Sequence, residues 1–405
     1  MESETRLSDA AQQLADLRVA IVHWYLVNRR GGERVLEVLC QMFPAADLYT
    51  LIADPAVLSP TLRKHRIFTS FVQHIPGCFR WYQHLLPLYP FALEQFDLSK
   101  YDLVISSEAN PAKGVITPAH TCHVCYCHSP MRYLWDMYHK YRAEPGVGPC
   151  ARLVFSVFAH YLRIWDLATA SRVDYFVANS EHVAARIRKH YRREATVINP
   201  PVTISEGYLS ENIGAYYLTV GQLVDYKRVD LAIDACNRLK RRLHVIGTGQ
   251  QEKRLRQLAG PGVEFLGFVS DRELCEQYAR CRALLFPGEE DFGLTPLEAN
   301  VFGRPVIAYG RGGALETVRG FDPDFPSAPQ ESTGVFFSEQ SPESLVEAIR
   351  AFESVEGRFS PTFIQAHAQR FSVARFKAAM TSFLAESLSQ FRQKQGARPK
   401  VQIAC

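Results

Sequence analysis

Residues 287–310 read PGEEDFGLTPLEANVFGRPVIAYG, and the order of residue types points to one piece of architecture. Ahead of it, the apolar run Ala283-Leu284-Leu285-Phe286 predicts a buried strand. A loop rich in acid and glycine follows, Gly288-Glu289-Glu290-Asp291-Phe292-Gly293. Thr295 then stands where a helix N-cap is expected, with Pro296 at the first helical position. Glu298, three residues beyond the threonine, completes the pattern of a capping box. The helix carries Leu297, Ala299 and Val301, stops at Gly303, and yields to a second apolar strand, Pro305-Val306-Ile307-Ala308. Strand, glycine loop, helix and strand make a βαβ unit. Its loop belongs at the carboxyl end of a parallel sheet, where open α/β sheets bind ligands, and a helix N-terminus there attracts anions.

The same rhythm runs outward in both directions. Arg18 to His23 predicts a first parallel strand after a leading helix, then Asn28-Arg29-Arg30-Gly31-Gly32-Glu33 and a helix carrying Val35, Leu36, Leu39 and Met42. Further strands are expected at Leu103 to Ser106, His123 to Cys127, Tyr175 to Ala178 and Thr196 to Ile198. The polar stretch near residue 205 reads as a linker. Beyond it, strands at Tyr216 to Val220, Leu243 to Ile246, Val263 to Leu266, Ala283 to Phe286, Pro305 to Ala308 and Val335 to Phe337 alternate with helices. The expected class is α/β: two Rossmann-like domains, 1–205 and 206–365, facing across a cleft. Residues 366–405 are expected to form a helix and tail returning toward the first domain.

A chain of 405 residues has ample length for two cores, and a net charge of +4 is too mild to argue for nucleic acid. Basic clusters at Arg63 to Arg66, Arg186 to Arg193 and Arg238 to Arg242 read as solvated helix faces. The acidic, amphipathic N-terminus is unlike a secretory signal, and no apolar run is long enough to cross a bilayer. Ten cysteines without such a signal read as reduced thiols in the cytoplasm. Residues 71–96, FVQHIPGCFRWYQHLLPLYPFALEQF, break the rhythm with crowded aromatics. Core packing beneath a long connection is the first expectation. The second is peripheral membrane contact through residues 63–96, on the inner face of the membrane.

Two carboxylates, Glu290 and Glu298, flank the expected anion-binding helix start. Carboxylates accept hydrogen bonds from vicinal diols while loop N–H groups take a phosphate, so the pair suits a ligand that offers sugar hydroxyls and phosphates together. The plainer readings are a solvated loop acid for Glu290 and a helix cap for Glu298.

These residues carry a resemblance. EDFGLTPLEANVFGRPVIAYGRGGALETV, from Glu290 on, resembles the Glu-x7-Glu signature of retaining glycosyltransferase family 4, a family with the GT-B fold. YCHSPMRYLWD (126–136), VDYFVANSEHV (173–183) and YLTVGQLVDYKRVDLAIDA (217–235) point the same way, and the likeness runs from about Val19 to Val318. It is closest to bacterial GDP-mannose-dependent mannosyltransferases of O-antigen and exopolysaccharide assembly.

The resemblance implies that Glu290 holds the hydroxyls of the donor hexose and Glu298 its ribose. Phe292, Gly293, Leu294 and Thr295 would present backbone to sugar and diphosphate, and Lys227 would meet the departing diphosphate. Gln222 stands where the family carries a partner arginine, and Arg228 where many members have glycine. Either Arg228 supplies the missing charge or one cation suffices. His128, at a strand end, would bond the donor sugar; on residues alone it reads equally as a satisfied core histidine. Gly31 and Gly32 would allow close approach of backbone to ligand, with Gly221, Gly247, Gly249 and Val269 near the nucleotide. Lys113 and Arg132 are expected on the acceptor side, with Asp136 a lesser candidate. The implied reaction moves a hexose, mannose above all, from GDP-mannose to a hydroxyl of a lipid-linked or carbohydrate acceptor by front-face displacement.

No cofactor or metal is expected. Cys122, His123, Cys125, Cys127 and His128 lie on one strand without the turn a zinc knuckle needs, and Asp322-Pro323-Asp324 reads as a solvated loop. A UDP-sugar-dependent relative of the same family is the nearest alternative. A two-domain NAD(P)-dependent oxidoreductase would need a full Gly-x-Gly-x-x-Gly, and Gly247-Thr248-Gly249 lacks its third glycine. A catalytically degenerate binding partner finds its only support in Gln222.

Overall fold

In the computed structural model, residues 2–28, 31–109, 111–143, 148–204, 206–321 and 329–396 are described. Asp322-Pro323-Asp324, expected as a loop, lies outside them. The chain divides into two compact units, residues 1–199 with 376–405, and residues 200–375.

Among the described residues the first unit holds seven strands: β1 (Val19–His23), β2 (Asp47–Thr50), β3 (Ile67–Thr69), β4 (Leu103–Glu108), β5 (Cys122–Cys127), β6 (Tyr175–Ala178) and β7 (Ala195–Val197). Their order is β3-β2-β1-β4-β5-β6-β7, and every pairing is parallel. Each residue of β1, β4 and β5 is buried, as expected for central strands covered on both faces, so these segments are rich in apolar residues, with His23, Ser106, Ser107, Glu108 and His123 buried among them. β2 and β3 escape the sequence reading because they are short and carry polar residues. Asp47 opens β2 and is held there by the Tyr101 hydroxyl at 2.5 Å and the Lys100 ammonium at 3.1 Å.

Residues 71–96 fold into short helical turns that serve two purposes. Val72, Cys78, Tyr89, Ala92 and Leu93 pack into the core on one side of the sheet. Phe71, Phe79, Trp81, Leu88 and Phe91 remain exposed.

The second unit repeats the plan. β8 (Tyr216–Val220), β9 (Arg242–Ile246), β10 (Val263–Gly267), β11 (Leu284–Phe286), β12 (Val306–Tyr309), β13 (Gly320–Phe321) and β14 (Gly334–Phe337) run parallel in the order β10-β9-β8-β11-β12-β14-β13. In both sheets the order reverses beside the unit's first strand, between β1 and β4 and between β8 and β11. Such a switch point opens a crevice beyond the carboxyl ends of the strands.

The C-terminal stretch holds two helices. Pro361–Ala368 ends in a turn, Ser372 pairs with Val202, and Val373–Gly396 follows, grouped with the first unit from Phe376 onward.

Candidate active site

At the switch point of the second sheet, the turn after β8 and the loop after β11 lie side by side. The backbone N–H of Gly221 donates to Ile246 at 3.0 Å and that of Leu223 to Thr248 at 3.0 Å, lacing the loops after β8 and β9 together. Gly247 takes φ 129°, and a Cβ there would come within 1.9 Å of the Gly221 carbonyl oxygen, so the close approach requires glycine. Gly249 lies in the same loop and Val269 follows β10, half-buried. Lys227 ends the turn Asp225–Lys227, and its ammonium is ion-paired with the Glu290 carboxylate from the loop after β11. Both side chains stay partly open to solvent.

The helix after that loop runs Leu294–Val301, and its N-cap is Gly293, at φ 90° and ψ 74°. The capping box expected at Thr295 and Glu298 does not form. Glycine accepts the left-handed turn at no steric cost, so the helix starts two residues before Pro296 and Thr295 falls inside its first turn. No side chain caps this end. Its first N–H groups therefore lack intrahelical partners, and the helix dipole adds partial positive charge there. Phe292 sends its ring into the core against Phe371, with centroids 5.8 Å apart, leaving its backbone on the loop.

Glu298 is more than one turn into the helix and nearly buried, and the Tyr278 hydroxyl donates to its Oε2 at 2.7 Å. A carboxylate gripped by a buried phenol keeps a fixed orientation. Arg228 takes a left-handed backbone conformation at φ 52°, the kind of position glycine favours. Its guanidinium lies on Asp230 through two bonds of 3.1 and 3.2 Å. The Gln222 side chain makes no hydrogen bond among the described residues.

The first unit collects a second group of side chains at its own switch point. His23 ends β1 and Ser107 lies opposite it on β4. Ser107 Oγ is 3.1 Å from His23 Nδ1 and 3.0 Å from His128 Nε2, just past β5. Asn179 donates its side-chain N–H to the His128 carbonyl at 2.9 Å, and the rings of Trp24 and Tyr126 meet His128 edge-on. Burial lowers the His23 pKa against the opposing pull of Glu33. Gly31 and Gly32 open the helix Gly31–Met42, and a Cβ on Gly32 would strike Trp24 at 2.6 Å. The need for glycine here is thus a packing need.

Lys113, expected to line the acceptor side, is instead fully buried. Its ammonium is ion-paired with Asp166 and lies 3.6 Å from Glu108. Asp166 also accepts from Trp135 at 2.8 Å and from the Tyr191 hydroxyl at 3.0 Å. The lysine is consumed by this ion cluster, because a buried carboxylate needs a cation and donors around it. Burial raises the Glu108 carboxyl to about 7, against the lowering pull of Lys113. Arg132 is half-buried, and its carbonyl accepts from Met137 at 2.9 Å. Asp136 is locked between Arg186 and His190, at 2.5 and 3.1 Å, which together outweigh burial and lower its pKa.

Sequence reasoning missed His23, Ser107, Glu33 and Tyr278. For the first three a signal existed: a polar residue at the carboxyl end of an apolar strand, and an acid directly after a glycine pair. Tyr278 lay hidden in an ordinary amphipathic helix.

The chain matches two family models: Glycosyltransferase Family 4 over residues 29–206 and Glycosyl transferases group 1 over residues 205–370. It is 31% identical over 100 residues to the O-antigen chain mannosyltransferase C of Escherichia coli, taking in 23% of this chain and 27% of that protein. It is 28% identical over 222 residues to a D-inositol 3-phosphate glycosyltransferase of Geodermatophilus obscurus, taking in 46% of this chain and 47% of that one. These alignments thus span less than half the length of the curated relatives. Among solved structures, Anabaena HepE in complex with UDP-glucose superposes with a TM-score of 0.65 at 18% identity, over 91% of this chain and 100% of that one. Sucrose-phosphate synthase from Thermosynechococcus elongatus gives 0.60 at 17% identity, over 94% and 99%. At such identities the likeness establishes the fold, GT-B, and the fold alone. Taken together, the two family-model matches run from residue 29 to residue 370, on a chain whose fold is GT-B.

Proposed function

We propose that this protein is a retaining glycosyltransferase that moves mannose from GDP-mannose to a hydroxyl of a lipid-linked or carbohydrate acceptor. One observation carries the reading: the Lys227–Glu290 pair beside the uncapped start of the helix Leu294–Val301, at the switch point of the second sheet. A cation and a helix N-terminus suit a departing diphosphate, whose negative charge grows as the glycosidic bond breaks. Glu290 would hold the hexose hydroxyls, Glu298 the ribose, and the Gly293–Thr295 backbone the phosphates. His128 would bond the sugar being moved. The departing phosphate would take the acceptor's proton in a front-face displacement, with no metal. The similarity to an O-antigen chain mannosyltransferase supports the choice of mannose and of a polysaccharide acceptor.

The first unit offers a surface suited to a lipid-borne acceptor. On the helix Pro149–Thr169, Leu153, Val157 and Ile164 are 58–67% exposed, and Trp81 and Phe91 are exposed on the neighbouring segment. Arg80, Lys140 and Arg142 are exposed around them, and Arg63, Lys64 and Arg66 on the stretch before. An apolar face rimmed with cations matches the inner, anionic face of a membrane. No described helix is long and apolar enough to cross one.

The experiment is a screen of purified protein against GDP-mannose, UDP-glucose, UDP-N-acetylglucosamine and NAD by thermal shift, followed by nucleoside diphosphate release. GDP-mannose should stabilise the protein most, and turnover should survive EDTA. Stabilisation by a UDP-sugar instead would overturn the donor, and binding of NAD alone would overturn the reaction class.

A further inference from the structure

We propose that Glu33, His23 and Ser107 form a positioning relay that sets which ring nitrogen of His128 carries the proton. Glu33, as a carboxylate, can only accept hydrogen bonds. His23 Nε2 stands 3.6 Å from Glu33 Oε1, slightly beyond hydrogen-bond length, and has no hydrogen bond of its own among the described residues. A buried ring nitrogen facing a carboxylate is best satisfied when it bears the hydrogen. Burial favours the neutral imidazole, so His23 Nδ1 is left bare.

Every later link then has one direction. The Ser107 hydroxyl donates to His23 Nδ1 across 3.1 Å. Its single proton being used, Ser107 Oγ must accept from His128, so Nε2 of His128, 3.0 Å away, carries the hydrogen. His128 Nδ1 is left as the lone-pair side of the ring, the side that accepts from a sugar hydroxyl. The fold holds the chain in place. His23 and Ser107 are register partners on β1 and β4, and the ring of Trp24 lies 3.7 Å from that of His23. The consequence for transfer rests on the proposed function of His128; the tautomer itself does not.

The test uses Glu33→Gln in the full-length chain. A glutamine amide can donate to His23 Nε2, which reverses every bond in the series and places the His128 proton on Nδ1. With histidine labelled by 15N and the His128 signals assigned by comparison with His128→Gln, long-range proton–nitrogen correlation should show a protonated Nε2 in the unmodified protein. In Glu33→Gln it should show a protonated Nδ1. Ser107→Ala, which cuts the relay beyond Glu33, should leave both tautomers populated and serves if the first variant fails to fold. An unchanged His128 tautomer in either folded variant would overturn the relay, as would a protonated Nδ1 at the outset. A tautomer switch in a protein that turns over no sugar nucleotide would sustain the relay while removing the transferase reading.

Discussion

Lys227 and Glu290, separated by 63 residues in the chain, are ion-paired across the carboxyl edge of the second sheet. In the proposed reaction each has a different ligand group to meet. The ammonium must turn to the diphosphate while the carboxylate turns to the hexose, so donor binding has to open this pair.

That exchange separates the two residues experimentally. Lys227→Ala should lower turnover by about 10²–10³-fold, the scale lost when a preorganised electrostatic group is removed. Glu290→Ala should lower turnover by a similar ~10²-fold but leave nucleoside diphosphate affinity unchanged or slightly higher, because Lys227 is released. Steady-state kinetics with calorimetric titration of GDP measures both. Equal loss of turnover and nucleotide affinity in Glu290→Ala would contradict its assignment to the sugar.

The helix start at Gly293 makes opposite predictions for two neighbours. Gly293→Ala forces a left-handed alanine, with a Cβ 3.2 Å from the Phe286 ring, and should cost about 1–2 kcal/mol. Thr295→Ala should cost under ~0.5 kcal/mol, because the threonine is not the cap, whereas a capping threonine would cost about 1 kcal/mol. Urea denaturation distinguishes them.

Glu108 gives the first unit a pH signature. Its carboxyl rises from 4.5 to about 7 in the folded chain. Between those values the folded protein holds a proton that the unfolded chain has released, so this group's contribution to stability falls as pH rises. The slope from one such group is at most about 1.4 kcal/mol per pH unit. Glu108→Gln should flatten the decline in denaturation free energy between pH 5 and pH 7; an unaltered slope would contradict the shifted carboxyl. Lys113→Ala strands Asp166 and Glu108 without their cation and should cost about 3–5 kcal/mol, read as a large drop in Tm.

Membrane contact is read by co-sedimentation with anionic vesicles at low salt. The unmodified chain should sediment. Val157→Glu combined with Ile164→Glu should reduce partitioning on the order of a hundredfold, since each side chain loses ~1.5 kcal/mol of burial. Neutral vesicles should bind less than anionic ones, and equal binding to both would remove the role of the basic rim.

Most of the fold was legible in the residues. β1, β4, β5, β11 and β12 are rich in apolar residues and bounded by glycine, proline or polar turns, as strands covered on both faces tend to be. β2 and β3 were not legible, since a short strand holding Asp47, Tyr49 and Thr50 carries no apolar run and exists through its pairing with β1. For the candidate site, the glutamates and the lysine could be named from their types and spacing, but their partners could not.

By itself the sequence determined the alternation of two parallel α/β halves, the glycine loops at the ends of their strands, and the types of charge those loops carry. These are local properties of composition and period. Only the tertiary structure decided that Lys227 meets Glu290, that Lys113 is buried on Asp166 and lost to any ligand, and that Ser107 joins His23 to His128. Each of those relationships depends on strand register and on how the loops beyond the strands turn, and bringing distant residues within hydrogen-bond reach is the work of packing over the whole unit.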